Sequence, residues 1–466
     1  MTLPFAACIL TTEMLNPAIF REYDIRGIAD EDLRDPDVEA LGSGLGTYLI
    51  RHSGATICLG RDCRLSGERL HRALRSGLVS AGAHVIDIGI VPTPVLYYAT
   101  VHFKANGGVM ITGSHNPPEY NGFKTVCGAG TIHGAEIQNV RKLIASGDFE
   151  AGEGSMKELD AVTPYVNEVA SQFHFDRRVK VALDAGNGTA GPVMHRILEK
   201  LNVEAVELFF EMDGSFPNHH PDPTLPVNLK PLQDAVGKEG AELGLAFDGD
   251  ADRLGVVDER GSIVWGDMLV LIFGREILSR KPGSTFIGEV KCSQVMYDKL
   301  KELGGRPIMY KTGHSLIKAK MRQENAELAG EMSGHMFFYD RYYGYDDALY
   351  AACRLIEIVA RSGQPLSHQL DGIPKLVSTP ELRIDCPDEL KFKVVEKVAD
   401  IVRKHRAIVD IDGVRVPFEH GWGLVRASNT QPVLVMRFEA ESEDWLKKYQ
   451  QELEDAVKHA KQQLSS

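Results

Sequence analysis

The sequence predicts an α/β protein of several domains that ends in a separate α+β unit. Apolar runs at Val179–Asp184, Leu243–Phe247 and residues 285–290 read as buried strands, and helix-like segments such as residues 192–201 lie between them. That alternation is the pattern of α/β domains. With 466 residues and 43% hydrophobic content, the chain is longer than one compact core organises. The tail differs: residues 407–410 and 413–416, Gly421–Ala427 and Val433–Ala440 are short β-like runs joined by turns, which predicts an antiparallel sheet. Trp445, Tyr449, Leu453, Ala456, Val457 and Ala460 recur at three- and four-residue steps, giving a final helix one apolar face to cover that sheet. Residues 146–155, rich in Gly, Glu and Ser, read as a linker. No internal repeat is evident.

Composition narrows the function. A formal net charge of −13 disfavours non-specific binding to nucleic acid or an anionic membrane, and no long Lys/Arg tract restores such a footprint. Seven Cys residues without paired CxxC spacing point to reduced thiols in a cytoplasm, not to a disulfide framework or zinc site. The apolar opening, residues 3–10, is short and lacks a basic leader, so it makes a poor signal peptide or membrane span. It reads as an extension before Met14.

Two clusters carry chemistry. In Thr112-Gly113-Ser114-His115-Asn116-Pro117-Pro118, Gly113 frees the backbone before the serine, while Pro117 fixes its own φ and pushes Asn116 towards extended geometry. A hydroxyl displayed on such a shaped loop can carry a transferable group, although Ser, Asn and Pro also favour ordinary surface turns. The second cluster, Asp248-Gly249-Asp250-Ala251-Asp252-Arg253, lies between two β-like runs. Alternate carboxylates on an extended turn can converge on one centre, and oxygen-only ligands suit a hard cation such as Mg²⁺. In bulk water two such charges about 4 Å apart repel by only about 1 kcal/mol, but at an effective dielectric near 20 by about 4 kcal/mol. A buried trio therefore calls for a cation. Asp248, Asp250, Asp252 and Glu259 also fit the spacing of an EF-hand loop, yet Arg253 stands where that loop needs Gly, and strand-like runs replace its helices.

With Gly330-Glu331-Met332-Ser333-Gly334-His335 and Arg426-Ala427-Ser428-Asn429-Thr430, these loops resemble, in order, those of the α-D-phosphohexomutase family, within it the bacterial phosphomannomutase/phosphoglucomutase group. The resemblance covers the chain after about Pro17. It implies three mixed α/β domains plus a C-terminal α+β domain with an antiparallel sheet, arranged around a central cleft. The expected divisions are a phosphoserine domain (1–160), a metal-binding domain (161–262), a sugar-binding domain (263–375) and a C-terminal phosphate-binding domain (376–466).

The implied activity is reversible phosphoryl transfer between O1 and O6 of a hexose through a 1,6-bisphosphate that reorients in the site. Ser114 matches the phosphoserine, and Asp248, Asp250 and Asp252 with Ser114 match the Mg²⁺ ligands. Glu331 and Ser333 match the loop that holds the sugar's O3 and O4. These are equatorial in both glucose and mannose, so a loop reading them is blind to C2. Arg426, Ser428, Asn429 and Thr430 match the distal phosphate loop, and a guanidinium, hydroxyls and turn N–H groups do make a phosphate cradle. His115, Lys124, Arg26 and His314 are the catalytic candidates, the last three as general acid or base. Tyr23, Arg253, Lys291 and His335 are the remaining substrate contacts. In Gly60-Arg61-Asp62 a structural ion pair is expected.

The expected partners are small sugar phosphates, with glucose or mannose 1,6-bisphosphate as activator, and neither nucleic acid nor membrane. The expected assembly is a monomer or weak dimer. Met332 stands where phosphoglucosamine mutases carry Gln, which places glucosamine phosphate second. A metal-dependent sugar phosphomonoesterase is the alternative from another class, although a hydrolase has little need to grip both ends of its substrate.

Overall fold

The computed structural model describes residues 15–429 and 431–465, apart from the side chain of Ser465; the opening apolar segment and Thr430 lie outside the described residues. Four sheets organise the chain. In the first, Tyr120–Cys127 runs antiparallel to Gly107–Ile111, which is followed across the sheet by the parallel strands Thr56–Arg61 and His84–Ile90. Ile25–Ile28 and Ser155–Glu158 close its two edges. The linker-like stretch therefore ends in an edge strand.

The second and third sheets repeat that arrangement. Leu254–Asp258 is antiparallel to Leu243–Phe247, with Val179–Asp184 and Val203–Leu208 parallel beyond it. Met336–Phe338 is antiparallel to Leu328–Gly330, with Thr285–Glu289 and Arg306–Tyr310 parallel beyond it. The repeat lies in strand order, and no matching repeat of residue types marks it in the sequence. In each sheet one hairpin joins the parallel part to its antiparallel neighbour. Those three hairpins are the serine loop, the acidic turn and the Glu331 loop.

The predicted strands at Val179–Asp184 and Leu243–Phe247 form with those bounds, while the third is Thr285–Glu289. Their inward positions are buried, as a sheet covered on both faces requires. The expected helix at 192–201 begins and ends earlier, at Ala190–Leu198, because the chain turns over at Lys200 and Leu201.

The C-terminal sheet is antiparallel: Val414–Phe418, Gly421–Ala427 and Val433–Ala440 pair in sequence. Residues 407–410 do not form the expected strand. They contribute an isolated bridge between Val409 and Arg415, after which the chain turns inward so that Asp412 reaches Arg426. Val377–Ser378 and Leu382–Asp385 complete the sheet instead. The final helix, Glu443–Ser465, lays Tyr449, Leu453, Ala456, Val457 and Ala460 into this core, with Trp445 half-buried at its margin. No helix among the described residues is long and apolar enough to cross a membrane.

One hydrophobic core runs through the first three domains, and within it the helix Ala348–Ser362 joins the second and third. It packs on Val179–Asp184 and Leu254–Asp258 of the second sheet and on Gly266–Arg280 of the third domain. Asp347 caps it by accepting from the Tyr350 N–H, and also accepts from the hydroxyls of Tyr165 at 2.9 Å and Tyr342 at 2.7 Å. Burial pushes this carboxyl up to about 6 against those donors. The C-terminal domain docks through Arg415, which donates to the carbonyls of Val290 and Cys292 and lies 3.7 Å over Trp422. Losing one buried donor to Asp347 has a calculable consequence. Tyr165→Phe is expected to cost about 1–2 kcal/mol in urea unfolding, with an unchanged circular dichroism spectrum.

Candidate active site

Ser114 sits at φ 50°, a left-handed conformation that a non-glycine residue holds only when its surroundings enforce it. The enforcement comes from Arg64. Its wholly buried guanidinium donates to the carbonyls of Ser114 at 2.7 Å, Asn116, Pro117 and Tyr120, and pairs with Asp62. Asp62 in turn accepts from the Thr112 hydroxyl and the Gly113 N–H. A side chain at Gly113 would lie 2.5 Å from the Arg64 guanidinium, so only Gly fits there. The expected ion pair in Gly60-Arg61-Asp62 is thus split: Asp62 turns to Arg64, while Arg61 pairs with Glu68 on the surface.

Thus held, the Ser114 hydroxyl donates to Asp248 Oδ2 at 2.8 Å. The serine loop and the acidic turn, 134 positions apart, meet directly. Asp248, Asp250 and Asp252 are fully buried, and oxygens from all three lie within 4.8 Å of one another. The turn is shaped for this: Ala251 has φ 61°, and Asp248 Oδ1 accepts from the N–H groups of Asp252 and Arg253. Glu259 faces Ser367 instead, which removes it from an EF-hand set.

Positive charge reaches the trio from three directions. Lys124 Nζ bonds Asp250 at 2.6 Å and also Asp252, Arg253 Nε lies 4.0 Å from Asp248, and His335 Nε2 lies 3.2 Å from Asp252. Burial works against the Lys124 charge, but Asp250 and Asp252 outweigh it and hold its pKa above the usual value. Burial, with Asp252 and Asp250 beside it, drives the Asp248 carboxyl well above its ordinary range. Asp250 Oδ1 is buried with no hydrogen-bond partner among the described residues. All-oxygen donors and an orphaned carboxylate oxygen fit a hard divalent cation.

The third loop adds a buried ladder. His335 Nδ1 bonds Glu331 at 2.6 Å, and the other Glu331 oxygen accepts from the Gly313 N–H at 2.7 Å. Burial opposes both charges, yet Asp252 and Glu331 raise His335 to about 9, while His335 and Lys291 lower Glu331 to about 2. Ser333 Oγ lies 3.2 Å from the same imidazole. Lys291 pairs with Glu381 at 2.6 Å, a residue with no sequence signal of its own.

From the fourth domain, Arg426 pairs with Asp412 at 2.9 Å, and Asn429 Nδ2 donates to the Tyr23 hydroxyl, which itself donates to the Thr312 carbonyl at 2.8 Å. Tyr23 therefore joins three domains. Ser428 Oγ accepts from the Gln431 N–H, closing the fourth loop. Two candidates point away from the trio. His115 bonds Asp222 at 3.2 Å, and burial, with Arg253 beside it, lowers it to about 4. Arg26 is held by Asp24 and by Asn116 of the serine loop at 2.9 Å. His314 opens the helix His314–Glu324, and burial, with Lys318, Lys124 and His335 nearby, keeps its imidazole neutral. Arg64, Thr93, whose hydroxyl bonds Asp250, and Asp222 are site-forming residues that local motifs did not reveal.

Four family profiles match the chain in order. Phosphoglucomutase/phosphomannomutase α/β/α domains I, II and III match residues 17–151, 163–261 and 265–376, and the C-terminal domain matches 381–456. The chain belongs to the phosphoglucomutase/phosphomannomutase family. It is 44% identical over 435 residues to a phosphomannomutase/phosphoglucomutase of Pseudomonas aeruginosa, covering 93% of this chain and 94% of that one. A phosphoglucomutase of Neisseria gonorrhoeae is 44% identical over 437 residues, covering 93% and 95%. A solved family protein from Burkholderia thailandensis superposes with a TM-score of 0.91 at 43% identity, over 96% of this chain and 98% of that one.

Membership gives the site geometry its context, and two measurements probe it. Arg64→Met removes the clamp on the strained serine loop; turnover is expected to fall at least 100-fold, with a lower unfolding midpoint. A pKa of about 9 for His335 means that its stabilisation is present below about pH 6.5 and is lost as pH rises through 9. The stability gap between wild type and His335→Gln should therefore be constant below about pH 6.5, shrink between about pH 6.5 and 9, and level off above that in denaturant titrations.

Proposed function

We propose that this chain is a phosphohexomutase that moves a phosphoryl group between O1 and O6 of mannose and glucose phosphates by way of Ser114 and a 1,6-bisphosphate. The observation that carries the reading is the hydroxyl of a strained, clamped serine 2.8 Å from Asp248, within a buried three-carboxylate cage. Phosphoryl transfer needs in-line positioning and neutralisation of oxygens more than covalent activation, and the site supplies both.

Ser114 lends its phosphoryl to the free hydroxyl of a bound monophosphate. His314, kept neutral by burial, takes the hydroxyl's proton, and Lys124 donates one to the departing Ser114 oxygen. The bisphosphate turns over, its second phosphoryl moves to Ser114, and each proton returns to its origin, so the cycle balances. Asp248, Asp250, Asp252 and the phosphorylated serine would hold Mg²⁺, which when bound withdraws charge from the phosphoryl in transit. Glu331 and Ser333 hold the sugar's O3 and O4. Arg253 and His335 flank the reacting end, where His115 and Arg26 steady the serine loop. Arg426, Ser428, Asn429, Thr430, Tyr23 and Lys291 cradle the distal phosphate.

Action as a monomer or weak dimer is part of this proposal. The six described cysteines are free thiols, in keeping with a reducing cytoplasm.

Given glucose 1-phosphate with a trace of bisphosphate, the protein is expected to yield glucose 6-phosphate; predominant free phosphate would make it a phosphomonoesterase. Mannose 1-phosphate should turn over within about tenfold of glucose 1-phosphate, and glucosamine 1-phosphate more slowly. Chelation should abolish turnover and Mg²⁺ restore it. Ser114→Ala should lose at least three orders of magnitude in kcat while still binding bisphosphate in calorimetry.

A further inference from the structure

The proposed mechanism leaves one buried ionic cluster unexplained. Asp346, in the loop before the helix Ala348–Ser362, is fully buried, and its Oδ1 takes a 2.9 Å bond from Lys318 Nζ. Lys318, also buried, lies over the Tyr97 ring at 4.3 Å and bonds its hydroxyl at 3.2 Å. Tyr97, Lys318 and Asp346 thus assemble a buried cluster beside the site, where an Asp346 oxygen also lies within 4.8 Å of Asp252 and His335. A buried pair is weak evidence for stability, since well-packed apolar residues often serve as well.

The other Asp346 oxygen gives the pair a purpose. Oδ2 lies 3.7 Å from His314 Nδ1, and neither atom has a hydrogen-bond partner among the described residues. Two orphaned atoms of complementary character thus lie 3.7 Å apart. Catalytic hydrogen bonds are often long without substrate and tighten when it binds. We infer that Asp346, anchored by Lys318, positions His314: it accepts the Nδ1 proton and so leaves Nε2 as the ring atom that receives the sugar hydroxyl's proton.

The consequence is a fixed tautomer. A neutral imidazole carries its proton on one nitrogen, chosen by the partner of the other. The titratable groups around His314 are Asp346, Lys318, Lys124, His335, Asp252 and Tyr23. Burial, with these cations, holds the ring neutral; Asp346 selects which nitrogen is bare. In the transfer step the proton on the sugar oxygen passes to Nε2 as the oxygen–phosphorus bond forms and the Ser114 ester breaks. His314 then shares its positive charge with Asp346 until the proton returns.

This inference rests on the mutase reading and on His314 as base, and the experiment separates the three. For wild type, ¹⁵N-histidine spectra, with His314 assigned by difference against His314→Gln, should show an Nδ1–H tautomer. Asp346→Asn should lower kcat about 10- to 100-fold with KM within twofold. The acid limb of its kcat/KM profile should move to lower pH, because a lost carboxylate makes the imidazolium easier to deprotonate. Asp346→Glu should recover part of the loss. If Asp346→Asn does not fold, Lys318→Met/Asp346→Asn removes the stranded charge and serves in its place.

An Nε2–H tautomer in wild type overturns the inference. So does unchanged kcat and pH profile in Asp346→Asn while His314→Gln is impaired. Full activity in His314→Gln removes the base itself, and absence of glucose 6-phosphate formation by wild type removes the mutase reading.

Discussion

Three carboxylates buried within 4.8 Å of one another are the constraint on which the rest of this structure depends. At an effective dielectric near 20, each close pair costs about 4 kcal/mol if both are ionised, so the turn cannot exist without cations around it. They come from different parts of the chain: Lys124 from the first sheet, Arg253 from the turn itself and His335 from the third. The same contacts that neutralise the trio therefore pin three domains together at one point. The orphaned oxygen of Asp250 is one donor that a divalent ion would take up there.

The serine answers to a complementary constraint. Its left-handed backbone is unfavourable alone, and Arg64 fixes it by gathering four carbonyls of the loop onto one guanidinium. A planar, always-charged fork suits that task where a lysine would not. Repetition of strand order explains how such parts come to face one another. Each of the three α/β sheets presents the hairpin between its last parallel strand and the antiparallel neighbour, and the C-terminal sheet offers its own hairpin opposite. Convergence of the Ser114 hydroxyl, the three carboxylates, the Glu331 loop and the Arg426 loop is thus a property of the topology.

Much of this was legible in the sequence where chemistry and turn-forming residues coincide. Ser114 and the aspartates stand within a few positions of Gly and Pro that shape their loops, and the apolar runs beside them are strands because their residues are buried on both faces. What stayed hidden depends on distant pairing. Arg64 lies at the start of an unremarkable surface-helix region, and nothing local says that its partners are carbonyls fifty positions away. Asp346 and Lys318 look like ordinary charges until the fold buries them. Residues 407–410 have strand-like composition, yet Asp412 is drawn to Arg426 and the chain turns before a ladder can form. The threefold recurrence of sheet order escaped for the same reason: it resides in pairing, not in residue types.

The claim that Ser114 is a way-station for the transferred group is open to direct pursuit. The protein would be labelled with ³²P from a bisphosphate, located by peptide mapping, and chased with unlabelled glucose 1-phosphate. The account predicts label on the peptide holding Ser114, lost at the rate of turnover and recovered in bisphosphate and glucose 6-phosphate. Turnover that leaves the label in place, or a label on another residue, would contradict it.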